Sequence, residues 1–191
     1  MTPDLSRPRA TPPYDILPAV PSFSLTSEDL ADGERMGDRF TAIHENLSPG
    51  LRWSGAPAGT RSFVVSCFDP DAPSPSGWWH WTVVDLPPST AGLPRGAGES
   101  DDGLAAPAFH VRNDAGTRAW YGPYPPAGDG DHRYVFAVHA LDVDTLGLDG
   151  SASAAAVACQ VSFHALGRAL LTATYSVPGD RAPFITEESH A

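Results

Sequence analysis

The run Arg61-Ser-Phe-Val-Val-Ser-Cys-Phe-Asp69 decides the fold. Phe63, Val65 and Cys67 alternate with Val64 and Phe68, so successive side chains are apolar on both faces of an extended segment. A strand of that kind belongs in the middle of a sheet that is covered on both sides. Two later runs read the same way, WHWTVVDL from Trp79 and HRYVFAVHALD from His132. The shorter runs FTAIH from Phe40 and LRW from Leu51 are β-prone as well. SAAAVACQVSFHALGRAL (153–170) is alanine-rich and carries Val157, Val161, His164 and Ala165 near one helical face, which predicts an amphipathic helix, and TATYSV then predicts a last strand. The expected fold is mainly β, with one helix near the C-terminus.

Composition agrees. With 191 residues, 41% of them hydrophobic, the chain is most economically one domain with its own core. Its 20 prolines and 18 glycines are spread out, which points to many turns between short elements. Residues 1–21 are the exception: Pro3, Pro8, Pro12, Pro13, Pro18 and Pro21, with Arg7 and Arg9 among them, suit an extended arm or a tail rather than a core. The expected organisation is an arm over 1–21, a domain over 22–180 and a tail over 181–191. Between the second and third strong strands, residues 87–131 are rich in Gly, Pro and Asp and too long for a simple loop.

A net charge of −11 and no basic cluster make nucleic acid a poor partner. All 12 basic residues are arginine, so lysine Schiff-base chemistry and the P-loop lysine are absent. Cys67 and Cys159 lie in apolar surroundings and read as small core residues. No stretch approaches the roughly 20 apolar residues of a membrane span, and the N-terminus has no apolar signal run, so the expected location is the cytoplasm.

Three segments carry polar groups that look placed. Asp69-Pro-Asp-Ala-Pro73 sets two carboxylates at a strand end, with prolines restricting the backbone around them. Gly77-Trp-Trp-His-Trp81 puts His80 among tryptophans; strict alternation gives it the face of Thr82 and Val84, away from Trp79 and Trp81. The loop from Tyr121 to Asp131 runs into His132 and Tyr134, which share a face, and its glycines and prolines can bring backbone amides close to an anion. Taken singly, each segment is equally readable as a polar turn, a satisfied core histidine or a structural loop.

Together, DPDAP, GWWHW and GPYPPAGDGDHRY, preceded by NLSPGLRWSGAPAGTRSFVV and followed by FAVHALD, resemble the phosphatidylethanolamine-binding proteins in their bacterial Raf-kinase-inhibitor-like branch. The resemblance covers about residues 23–177. It implies an antiparallel β-sandwich-like fold with a C-terminal helix and short peripheral helices. It also implies a small pocket for phosphate, acetate or phosphorylethanolamine, lined by Asp69, Asp71, Pro73, His80, Gly122, Pro126, His132 and Tyr134. The implied role is a non-catalytic binding or regulatory protein that needs no cofactor, with a kinase or serine protease as the kind of protein partner. The competing reading is a metal-dependent hydrolase built on the same Asp and His residues.

Two carboxylates beside an anion need compensation. Pairing of Asp69 or Asp71 with His80 or His132 would make an imidazolium face the ligand, and binding would then strengthen as pH falls toward about 6. A zwitterionic ligand whose ammonium meets the carboxylates is the other solution.

Overall fold

The computed structural model describes residues 5–179; the expected tail over 181–191 lies outside the described residues. Among the described residues, eight strands form two antiparallel sheets. The smaller has the order β1–β2–β5, from Ser24–Thr26, Leu51–Ser54 and Gly92–Leu93. The larger has the order β6–β4–β3–β7–β8, from Phe109–His110, Trp78–Leu86, Ser62–Asp69, His132–Leu141 and Ala165–Tyr175. One α-helix, α1 (Ala154–His164), and 3-10 turns at Asp38–Phe40 and Asp101–Gly103 complete the regular structure of the described residues.

The two-sided apolar pattern of β3 has the expected consequence. On one face Phe63, Val65 and Cys67 join Trp81, Phe136 and Val138 in the main core, closed by Leu51, Trp53 and Leu93 of the smaller sheet. On the other, Val64 joins Val84 and Leu141 beneath Val157 and Val161 of α1. Hence β3 is central, paired with β4 on one side and β7 on the other.

Three local expectations are corrected. The helix stops at His164 instead of running to Leu170, and the chain passes straight into β8. From Gly167 the residues facing inward recur every second position, through Ala169, Leu171, Ala173 and Tyr175. A Cβ on Gly167 would lie 2.8 Å from Pro57 and 3.0 Å from the Pro21 carbonyl, so the glycine there serves close approach of neighbouring segments to the strand. FTAIH forms no strand: Phe40 closes a 3-10 turn, and the Thr41 hydroxyl donates to the Asp38 carbonyl at 2.7 Å. Cys67 is buried but Cys159 is exposed, and both thiols are free.

Residues 87–131 wrap the sheet edge, pinned by Asp101. Its carboxylate accepts from the His110 backbone N–H and meets His110 Nδ1, both at 2.7 Å, and takes Arg118 at 2.9 Å. The N-terminal arm also lies against the domain. Arg133 donates to the Ala10 carbonyl at 2.6 Å, and the Tyr14 ring sits under the Arg168 guanidinium, 4.4 Å away, with its hydroxyl 3.4 Å from His139 Nε2.

His139 carries a consequence for acid stability. Burial, reinforced by the Arg168 charge, pushes its pKa down to about 3. A histidine depressed in the fold adds stability above its unfolded pKa near 6.5, and that stability drains as pH falls toward 3, by about 1.4 kcal/mol per pH unit. Urea unfolding of the wild type at pH 5 is therefore expected to show a loss of about 2 kcal/mol from this group relative to pH 6.5. His139→Asn should remove that share; an equally steep acid limb in the variant would contradict the assignment.

Candidate functional site: a cavity at the end of the central strands

Asp69 ends β3, and one of its carboxylate oxygens accepts the Asp71 backbone N–H at 2.7 Å, which fixes the turn that the prolines flank. The other oxygen lies 2.7 Å from Nδ1 of His132, the first residue of β7. Nε2 of the same ring lies 2.9 Å from Asp129. Burial alone would hold His132 neutral, but the hydrogen bonds and charges of Asp69 and Asp129 outweigh it and raise its pKa. The ring is thus favoured as an imidazolium donating on both sides to carboxylates.

His80 behaves oppositely. Along β3–β4 the pairing steps from Cys67–Trp81 to Phe68–Trp79, so one residue on β3 faces two on β4. His80 is the extra residue of this bulge. It abandons the face of Thr82 and Val84 expected from alternation and turns to the side of Trp81, packing edge-on to Tyr134 at 5.0 Å and against Trp120 at 6.3 Å. Burial lowers its pKa, opposed by a hydrogen bond in which Nδ1 donates to the Tyr121 carbonyl at 2.5 Å. The neutral ring then presents a lone pair at Nε2, which has no partner among the described residues.

These groups open onto a cavity of about 230 Å³. Asp69, His80, His132 and Tyr134 line it together with Ala72, Pro73, Trp78, Tyr121 and the stretch Tyr124 to Pro126. Two of the lining residues bring buried donors without protein acceptors among the described residues, the Tyr134 hydroxyl and the Trp78 indole N–H. Burial and the nearby Asp69 carboxylate raise the Tyr134 pKa well above its usual value, so the phenol keeps its proton.

Six of the eight sequence-derived positions thus meet at one cavity: Asp69, Pro73, His80, Pro126, His132 and Tyr134. Asp71 and Gly122 do not line it. The Asp71 carboxylate turns away to Arg133, accepting from its Nε at 2.7 Å, its Nη2 at 2.8 Å and its backbone N–H at 3.0 Å. Gly122 packs on residues 40–42, where a Cβ would come 2.1 Å from the Phe40 carbonyl oxygen. Sequence reading overlooked Asp129, three residues before His132 in the GDGD run, as well as Trp78 and Tyr121. The apparent crowding of negative charge resolves into two pairs, Asp71 with Arg133 and Asp69 with His132. Among the described residues no group of three or more His, Cys, Asp or Glu side chains is arranged to hold a metal ion.

The phosphatidylethanolamine-binding protein family model matches residues 26–176. The chain belongs to that family. It is 45% identical over 159 residues to the UPF0098 protein YbhB of Escherichia coli, a match spanning 81% of this chain and all of YbhB. Among solved structures, E. coli YbcL superposes with a TM-score of 0.79 at 38% identity, covering 82% of this chain and 99% of YbcL. The Chlamydia trachomatis homologue CT736 gives 0.69 at 28% identity, over 81% of this chain and 97% of CT736. The putative lipoprotein LppC of Mycobacterium tuberculosis is 32% identical over 178 residues, 87% of this chain and 84% of LppC. No helix among the described residues of this family member is long and apolar enough to cross a membrane.

Proposed function

We propose that the cavity receives a small phosphorylated or carboxylated group, free, as in phosphorylethanolamine, or carried by a partner protein such as a kinase or a serine protease. In this reading the protein binds or inhibits and catalyses no reaction. The carrying observation is the pair of buried donors, Tyr134 O–H and Trp78 N–H, that find no acceptor among the described residues. A buried donor left unpaired costs about 1–3 kcal/mol, and an anion's oxygens remove that cost. Neutral His80 adds selectivity, because its Nε2 lone pair accepts from a ligand P–OH or takes up a proton as the anion enters.

Calorimetric titration with inorganic phosphate at neutral pH tests the reading. Tyr134→Phe keeps the ring and deletes the donor, and it is expected to weaken binding roughly tenfold; equal affinities would overturn the assignment.

The two anions phosphate and sulfate separate the role of His80. Sulfate has no proton to give at neutral pH, so it requires His80 to be protonated, whereas a phosphate monoanion does not. Phosphate is therefore expected to bind the more tightly at pH 7.5, with the gap closing only where acid, below the ordinary histidine range, protonates the buried His80. Equal affinities for the two anions at pH 7.5 would rule out the His80 contact.

A further inference from the structure

Resting on the pocket proposed above, the inference concerns the proline-rich arm, which precedes the residues matched to the family. The Asp129 side chain is only 4% exposed, although it stands in a loop between Gly128 and Gly130, both at positive φ. The backbone of this loop is held on its far side, Gly128 N–H donating to the Val177 carbonyl at 2.9 Å and Asp129 N–H to the Pro126 carbonyl at 3.1 Å. The carboxylate is held by two other groups. His132 Nε2 donates to it at 2.9 Å, and Arg7 spans both its oxygens at 2.8 Å each while also donating to the Asp71 carbonyl. Bidentate guanidinium–carboxylate pairing fixes direction as well as distance, so Arg7 decides where Asp129 points.

An imidazolium has two N–H donors. Asp69 takes one and Asp129 the other, which leaves His132 in the cavity lining with nothing to offer an anion. We propose that Arg7 is a positioning residue for the pocket: by clamping Asp129 onto His132 Nε2, the arm makes that carboxylate an internal competitor for any anion that uses the same N–H. Displacing Arg7 lets Asp129 swing out on its flanking glycines and frees the donor. The arm is seated independently at Ala10 and Tyr14, so the loss of Arg7 alone does not detach it.

The test uses the full chain with selectively 15N-labelled histidine. In the wild type below the His132 pKa, both ring N–H protons are expected to be protected from solvent and visible by NMR. In Arg7→Ala the Nε2 proton should be lost to exchange while the Nδ1 proton, on Asp69, persists. Inorganic phosphate should then bind about tenfold more tightly. Arg7→Lys, which keeps the charge but cannot span both carboxylate oxygens, should behave more like Arg7→Ala than like the wild type, and Asp129→Asn should raise phosphate affinity whether or not Arg7 is present. A protected Nε2 proton in Arg7→Ala overturns the proposal, and so does its loss when the wild type binds phosphate and the variant binds it no more tightly. Loss of the proton in a protein that binds no phosphate in either form keeps the Arg7–Asp129–His132 coupling and overturns the pocket reading instead.

Discussion

Asp69→Ala should lower the unfolding free energy by about 3–5 kcal/mol, the cost of breaking a buried ion pair by removing one partner. Asp69 is 3% exposed and His132 1%, so the pair is buried. The substitution also strips the acceptor from the Asp71 backbone N–H and so loosens the turn that carries Pro73 into the cavity wall. For a chain of this size the melting temperature should fall on the order of 10 °C. The pH dependence has a definite sign. His132 is raised in the fold, so the stability it contributes is complete below its unfolded pKa near 6.5 and drains as pH rises through the raised value. The deficit of Asp69→Ala should accordingly narrow in alkaline buffer. Chemical denaturation at pH 6 and pH 9 measures both; a loss below about 1 kcal/mol at pH 6 would show that the pair is not what holds this end of the sheet.

Gly122→Ala is the second large effect, about 3 kcal/mol, and it arises from contact rather than charge. The new methyl would stand 2.1 Å from the Phe40 carbonyl oxygen, 2.8 Å from the Thr41 carbonyl carbon and 2.8 Å from the Ala42 nitrogen. All three are backbone atoms and cannot rotate aside. Separating the two segments breaks the bond from Gly122 N–H to Asn46, 2.8 Å, and that from Ala42 N–H to the Pro123 carbonyl, 3.2 Å. It also displaces the Tyr121 carbonyl that orients His80. Gly122 therefore acts on the cavity from behind, and both the urea midpoint and phosphate affinity should fall together in the variant. Retained stability would mean that the loop has another seat.

The apolar doubling of β3 and β7 is written in consecutive residues, so the central sheet and its two covered faces were legible. The union of DPDAP, GWWHW and the GPYPP loop was legible only through the family resemblance those motifs carry together; the reason for it, strand ends that the sheet brings side by side, is structural. The face of His80 was not, since strict alternation holds only until a bulge inserts one residue, and nothing in GWWHW announces it. The outward turn of Asp71 was hidden for a different reason: its partner Arg133 lies 62 positions away and only the pairing register brings it near. Arg7 lies 122 positions from Asp129, on an arm whose composition speaks of extension and not of destination. The helix overrun is different again. Alanine favours a helix locally, but Gly167 to Tyr175 alternate inward against β7, and sheet pairing overrode that preference.

The most direct measurement of the central claim is a crystal structure of the protein grown with O-phosphorylethanolamine. The phosphoryl group should lie in the cavity, with oxygens within hydrogen-bond distance of the Tyr134 hydroxyl and His80 Nε2, and the ammonium toward Asp69. A ligand bound elsewhere, or one seated in the cavity with its phosphoryl group away from both of those atoms, would contradict the account.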